Sequence, residues 1–78
     1  MRAPSAPDTR MPLVEYHIVP HGDHWDVERD DAFIGSVAHD VHAAIQLATA
    51  AAQRDQSDGL DAMVCVQEPD GHCRKVWP

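Results

Sequence analysis

Residues 40–59, DVHAAIQLATAAAQRDQSDG, decide the fold of this chain. Their apolar positions recur every three or four residues, which is typical of an amphipathic helix. These positions are Val41, Ala44, Ile45, Ala48, Ala51 and Ala52. Asp40 suits the N-cap, because its carboxylate can accept hydrogen bonds from the exposed amides of the first turn. Gly59 can adopt the left-handed conformation that follows a helix end. The sequence therefore predicts one helix that ends near Arg54 or Gln56, with an alanine-rich stripe that allows close packing on a sheet.

Three segments before the helix are candidate strands: the first two alternate apolar and polar residues with the period of 2 that strands show, and the third is mainly apolar. They cover residues 13–19, 24–29 and 32–38. Turn residues separate them, first at His21-Gly22-Asp23 and then at Asp30-Asp31. After the helix, residues 60–67 and 72–77 form two more candidate strands around the strong turn at 68–71. Short links favour antiparallel pairing. The predicted fold class is α+β, an antiparallel sheet with one helix packed on one face, in the order β-β-β-α-β-β.

Length and composition limit the organisation of the chain to one small domain. The chain has 78 residues, and we assign residues 13–78 to a single domain. Residues 1–12 contain three prolines and no apolar period, so we expect a disordered lead-in there. With no apolar leader or membrane-length apolar window, we expect a cytoplasmic protein that does not contact membrane. In that compartment thiols stay reduced, so we do not expect Cys65 and Cys73 to form a disulfide.

The segment from Tyr16 to Gly22, followed by Trp25-Asp26-Val27, resembles the opening of the bacterial DUF2188 family, whose function is unknown. In that family an H-V-V-P-type strand precedes a short turn and a tryptophan strand. The alanine-rich helix and the final hairpin around Asp70-Gly71 are similar as well. The resemblance covers roughly residues 16–75 and implies a fold rather than an activity. This chain departs from the basic composition of many members, because its net charge is −7.

Six histidines make metal binding a candidate function. His17, His21 and His24 follow an H-x3-H-x2-H pattern, and a hairpin could bring His17 and His24 face to face. Zinc requires three or four converging ligands, and the competing interpretation is ordinary surface histidines on polar strand faces. Cys65 and Cys73 lack the C-x2-C spacing of a structural zinc site. No nucleophile elbow or phosphate loop is present, so we predict neither catalysis nor a cofactor.

The positions of the apolar residues predict an interaction module and not an enzyme. Strand parity places several apolar residues on the sheet face that the helix does not cover, namely Leu13, Val19, Ile34, Met63 and Cys65. We predict that this face or an open edge strand binds another protein or a second copy of the chain. Scattered surface apolar residues are the alternative. The candidate binding residues are Ile34, Met63, Arg74, Lys75 and Trp77. A nucleic-acid contact through Arg74, Lys75 and Trp77 is a further alternative, but the net charge of −7 disfavours such a partner.

Overall fold

The computed structural model describes residues 13–78, so the predicted lead-in at 1–12 lies outside the described residues. The chain folds as five strands and one helix in the predicted order. The elements are β1 (Leu13–His21), β2 (His24–Arg29), β3 (Ala32–Ala38), α1 (Val41–Ser57), β4 (Asp61–Gln67) and β5 (Cys73–Trp77). The helix packs on one face of a single sheet, which confirms the α+β prediction. Within the described range, no helix is long and apolar enough to cross a membrane.

The sheet has the strand order β3-β2-β1-β4-β5 and is mostly antiparallel. The two hairpins before the helix and the hairpin after it give the three antiparallel pairs. The central pair, β1 with β4, is parallel. This departure from an all-antiparallel sheet follows from the connection, because α1 carries the chain across the sheet before β4 begins. Short links impose antiparallel pairing, whereas a helical crossover permits a parallel pair.

A two-residue turn at Asp30-Asp31 sets the register of β2 against β3. Both residues have positive φ, 49° and 71°. Positive φ at both central positions is the signature of a type I′ turn, whose twist matches that of the flanking strands. One irregularity follows in β3, where Glu28 pairs with Phe33 while Val27 pairs with Gly35. Ile34 is therefore the additional residue of a β-bulge.

Both ends of α1 are capped by interactions that the sequence indicates. At the start, the Asp40 carboxylate accepts a hydrogen bond of 2.9 Å from the His42 amide. At the other end, Gly59 has φ of 88°, and its amide donates to the carbonyl of Gln56. The amide of Leu60 donates to the carbonyl of Asp55. These two bonds form a Schellman motif, which satisfies carbonyls that the helix leaves unpaired.

The core lies between α1 and the central strands. Its fully buried side chains come from β1, β2, β4 and one stripe of the helix. They are Val14, Tyr16, Ile18, Val27, Ala44, Ala48, Ala52, Ala62, Val64 and Val66. The helix contributes only alanines to this set, so its backbone approaches the sheet closely. The larger side chains of the strands fill the space between the layers, and the opposite face of the sheet is left without a covering element in the described part of the chain.

Candidate functional site

The uncovered face of the sheet, called the open face below, is more polar than the sequence pattern predicts. Strand register identifies its members, since residues paired across strands share a face. They are Leu13, Glu15, His17, Val19, His21, His24, Asp26, Glu28, Phe33, Ser36, Ala38, Asp61, Met63, Cys65, Gln67, Cys73 and Lys75. Leu13, Val19, Met63 and Cys65 are there as expected, but charged residues and histidines separate them. Ile34 is the unpaired bulge residue of β3, so strand register does not assign it to this face. The open face is therefore not a continuous apolar docking surface.

The five predicted binding residues do not form one patch. Ile34 lies in edge strand β3, whereas Arg74 and Lys75 lie in β5, at the opposite edge of the sheet. Met63 is half-buried on the open face. Trp77 pairs with Val64 and packs against the core cluster, so it closes the core rather than extending toward a partner. Met63 and Lys75 share the open face, but the five residues together do not form one interaction surface.

Edge strand β3 is unusually apolar for an exposed sheet edge. Its sequence, AFIGSVA, contains neither a charged residue nor a proline. Phe33 is 63% exposed and Ile34 is 43% exposed. An edge strand presents unpaired backbone amides and carbonyls, and natural proteins usually protect such edges with charges, proline or bulges. Of these protective features, β3 contains only the bulge at Ile34. Sequence reasoning did not single out Phe33, although two adjacent large apolar residues in a short strand were an available signal.

The opposite edge, β5, has charged side chains instead. Arg74 and Lys75 are both exposed. The Arg74 Nε donates to a carboxylate oxygen of Glu68 over 2.8 Å, across the β4–β5 turn. Charges of this kind discourage pairing with another strand. The two edges of the sheet thus differ in character, since β3 contains no charged residue and β5 contains two.

Cys65 and Cys73 form a disulfide, which corrects the prediction that they stay reduced. The β4–β5 hairpin places their Cα atoms 5.5 Å apart, within the range that a disulfide requires. The strand register, which the sequence leaves open, brings both cysteines to the same face of the sheet and so makes the bond possible. In the chain-entropy model, closing a loop this short stabilises the fold by about 2–3 kcal/mol.

The three histidines predicted as metal ligands divide into two groups. His17 lies with Cys65 and Cys73, and the three potential ligand atoms are all within 4.8 Å of one another. His21 and His24 lie with Asp26 at the β1–β2 hairpin, again within 4.8 Å. The His21 and His24 rings are stacked with centroids 5.1 Å apart, and Asp26 contacts both rings. The two groups contain different ligand types, sulfur with nitrogen in the first and oxygen with nitrogen in the second.

A buried polar cluster joins the sheet to the end of the helix. The hydroxyl of Tyr16 donates to Oδ2 of Asp55 over 2.5 Å. The Arg29 guanidinium donates to the Asp55 carboxylate, with Nη2 to Oδ1 at 3.0 Å, and to the Tyr16 hydroxyl at 3.2 Å. Among the described residues, no buried side-chain nitrogen or oxygen lacks a hydrogen-bond partner. This cluster is fully satisfied and orients α1 against β1 and β2.

Electrostatics in this cluster shift the pKa values of its members. Hydrogen bonds from Arg29 hold the pKa of the Asp55 carboxyl below its usual value, although partial burial opposes this shift. Desolvation, followed by the hydrogen bond to Asp55, raises the pKa of the Tyr16 phenol. Sequence reasoning missed the cluster, yet two signals for it existed. Asp55 lies three residues after Ala52 on the buried stripe, and Arg29 shares strand parity with Val27.

Comparison with known proteins adds no relative: no family model, curated protein or solved structure matches the chain. The resemblance to the DUF2188 family therefore stays a prediction.

Proposed function

We propose that this domain is a self-association module in which β3 of one copy pairs with β3 of a second copy. The observation that carries the proposal is the neutral, apolar character of an edge strand that no element of the described chain covers, with Phe33 and Ile34 exposed. Strand addition to a sheet edge gains affinity from backbone hydrogen bonds and specificity from the side chains beside them. Joining two such edges would extend the sheet from five strands to ten.

The distribution of charge favours pairing of two copies through β3 over pairing through β5. Each chain carries a net charge of −7, so two copies repel one another over most of their surfaces. The strand from Ala32 to Ala38 has no charge of its own, which makes it a place where two copies can meet without direct like-charge contact. A β5–β5 pairing would instead bring Arg74 and Lys75 of both chains together. Like charges directly opposite each other destabilise a strand pair.

Symmetry supports the same arrangement. Antiparallel pairing of β3 with its own copy around a two-fold axis uses the same surface on both chains and closes at a dimer. Pairing of β3 with β5 would be head-to-tail and would continue into a filament. The protective charges on β5 disfavour that outcome. The proposal therefore specifies a closed homodimer with β5 left free at both ends.

Sedimentation equilibrium over a range of protein concentrations tests this proposal. We expect a reversible monomer–dimer equilibrium for the unmodified chain. Phe33→Lys should shift the chain to monomer, because a charge on the edge opposes pairing and an exposed side chain can be replaced without disturbing the core. Leu47→Lys is the matched control, since Leu47 is 40% exposed on α1 and should leave the equilibrium unchanged. A monomeric unmodified chain, or equal loss of dimer in both variants, would contradict the proposal.

A further inference from the structure

His17, Cys65 and Cys73 form a row across three neighbouring strands of the open face. His17 in β1 pairs with Cys65 in β4. Cys73 in β5 is bonded to Cys65. One potential ligand atom from each residue lies within 4.8 Å of the other two. The three side chains are thus held together by the sheet itself, and the arrangement does not depend on a flexible loop.

This row contains the ligand types that zinc prefers once the cysteines are reduced. Thiolate sulfur and imidazole nitrogen bind Zn²⁺ at about 2.3 Å and 2.0–2.1 Å in a tetrahedral arrangement. Ligand atoms around such a centre lie less than 4.8 Å apart, so small side-chain rotations suffice to bring them to one ion. We propose that His17, Cys65 and Cys73 bind Zn²⁺ when the disulfide is reduced, with a water molecule as the fourth ligand.

Glu15 provides the carboxylate that commonly accepts a hydrogen bond from a metal-bound histidine. Its Oε1 lies 3.1 Å from Nε2 of His17, two residues away on the same face of β1. Metal-bound histidines commonly donate their second ring N–H to a carboxylate, which fixes the tautomer and the orientation of the ring. In the proposed site, Glu15 holds one ring nitrogen of His17 and leaves the other for the metal.

The disulfide and the zinc site exclude each other, because the same two sulfur atoms serve both. A thiol reductant of the glutathione class converts the disulfide to two thiols and is itself oxidised to a disulfide, a two-electron exchange. Binding of Zn²⁺ to the two thiols then releases two protons to solvent. The protein would thus hold either an S–S bond or a zinc ion at this position, according to the redox state of its surroundings.

Cobalt(II) titration tests this site, because Co²⁺ substitutes for Zn²⁺ and shows thiolate charge-transfer bands in the ultraviolet. The full chain is reduced with a phosphine under nitrogen and titrated with Co²⁺, and then Zn²⁺ displaces the cobalt. We expect thiolate–cobalt bands that saturate at one metal per chain in the reduced protein and are absent from the oxidised protein. Glu15→Gln should weaken binding about tenfold through loss of histidine support.

Two histidine variants separate this site from the other cluster. His17→Ala should weaken binding by more than Glu15→Gln does, whereas His21→Ala should leave both the bands and the affinity unchanged. His21 is a suitable control because its cluster with His24 and Asp26 contains no sulfur. Three results would overturn the proposal: no thiolate band in the reduced chain, equal affinity in the oxidised chain, or binding that is lost in His21→Ala and retained in His17→Ala.

Discussion

The hydroxyl oxygen of Tyr16 lies 2.5 Å from Oδ2 of Asp55, which joins β1 to the last turn of α1 across 39 positions of sequence. Arg29 from β2 contacts both groups. Because α1 presents mainly alanine to the sheet, few large side chains fix its position. The polar cluster therefore contributes to the orientation of the helix as well as to the stability of the fold.

Replacement of Asp55 by alanine should destabilise the fold. Considered as a helix residue alone, Asp55 is unfavourable, since alanine has the higher propensity and a negative charge opposes the helix dipole near the C-terminus. The cluster predicts the opposite sign, because Asp55→Ala removes hydrogen bonds between charged groups. We expect the free energy of unfolding to fall by about 2 kcal/mol and not more, since Arg29 is partly exposed and solvent screens the pair. Urea denaturation measures the difference. A variant as stable as the unmodified chain would show that the cluster contributes nothing.

The stability that Asp55 confers should depend on pH. Its folded-state pKa is depressed by Arg29, so the ionised carboxylate is favoured by folding. The contribution is therefore complete above the ordinary carboxyl pKa of about 4 and is lost as the pH falls from there through the depressed value. Asp55→Asn removes this titration. The difference in urea midpoint between the two proteins should shrink on acidification, and a difference that stays constant would exclude the linkage.

Tyr16 offers a direct spectroscopic test, because it is the only tyrosine in the chain. Its pKa is raised, first by burial and then by the hydrogen bond to Asp55. Ultraviolet titration should show phenolate forming above pH ~10 in the folded protein and near pH ~10 in the urea-unfolded chain. The stability contributed by the neutral phenol is therefore fully present below the unfolded-state pKa of Tyr16. It is lost as the pH rises through the higher folded-state pKa. Identical titration curves in the two states would contradict the buried hydrogen bond.

The proposed dimer should become tighter as the salt concentration increases. Two chains of net charge −7 repel one another, and salt screens that repulsion without weakening the neutral contact along β3. Nucleic-acid binding would have the opposite dependence, since it releases counterions and weakens steeply with salt. Sedimentation equilibrium at low and high ionic strength distinguishes the two. A dimer that dissociates at high salt would indicate an interface held by ion pairs, and β3 contains no charge to form them.

Much of the fold was predictable because it depends on local signals. The period of the apolar residues, the Asp40 cap, the Gly59 end and the Asp30-Asp31 turn each act over a few positions. The parallel pairing of β1 with β4 was not predictable from hairpin rules, since it depends on where the crossover helix places the chain. The observed strand order likewise depends on tertiary packing.

The site was harder to predict than the fold, because it depends on strand register. One step of register decides whether Cys65 and Cys73 share a face, and the sequence does not specify that step. Register also pairs His17 with Cys65 and His21 with His24, an assignment that the H-x3-H-x2-H spacing could not make. The bulge at Ile34 interrupts strict parity in β3, so a simple count of positions does not describe that edge.

Amide hydrogen exchange, followed residue by residue by NMR at low and high protein concentration, tests the central claim most directly. Among residues 13–78, no strand pairs with the outward-facing amides of β3, and pairing with a second copy would protect them. We predict that protection within Ala32–Ala38 rises with protein concentration, while amides of β5 exchange at the same rate throughout. Exchange in β3 that does not change with concentration, or new protection confined to β5, would contradict pairing through β3.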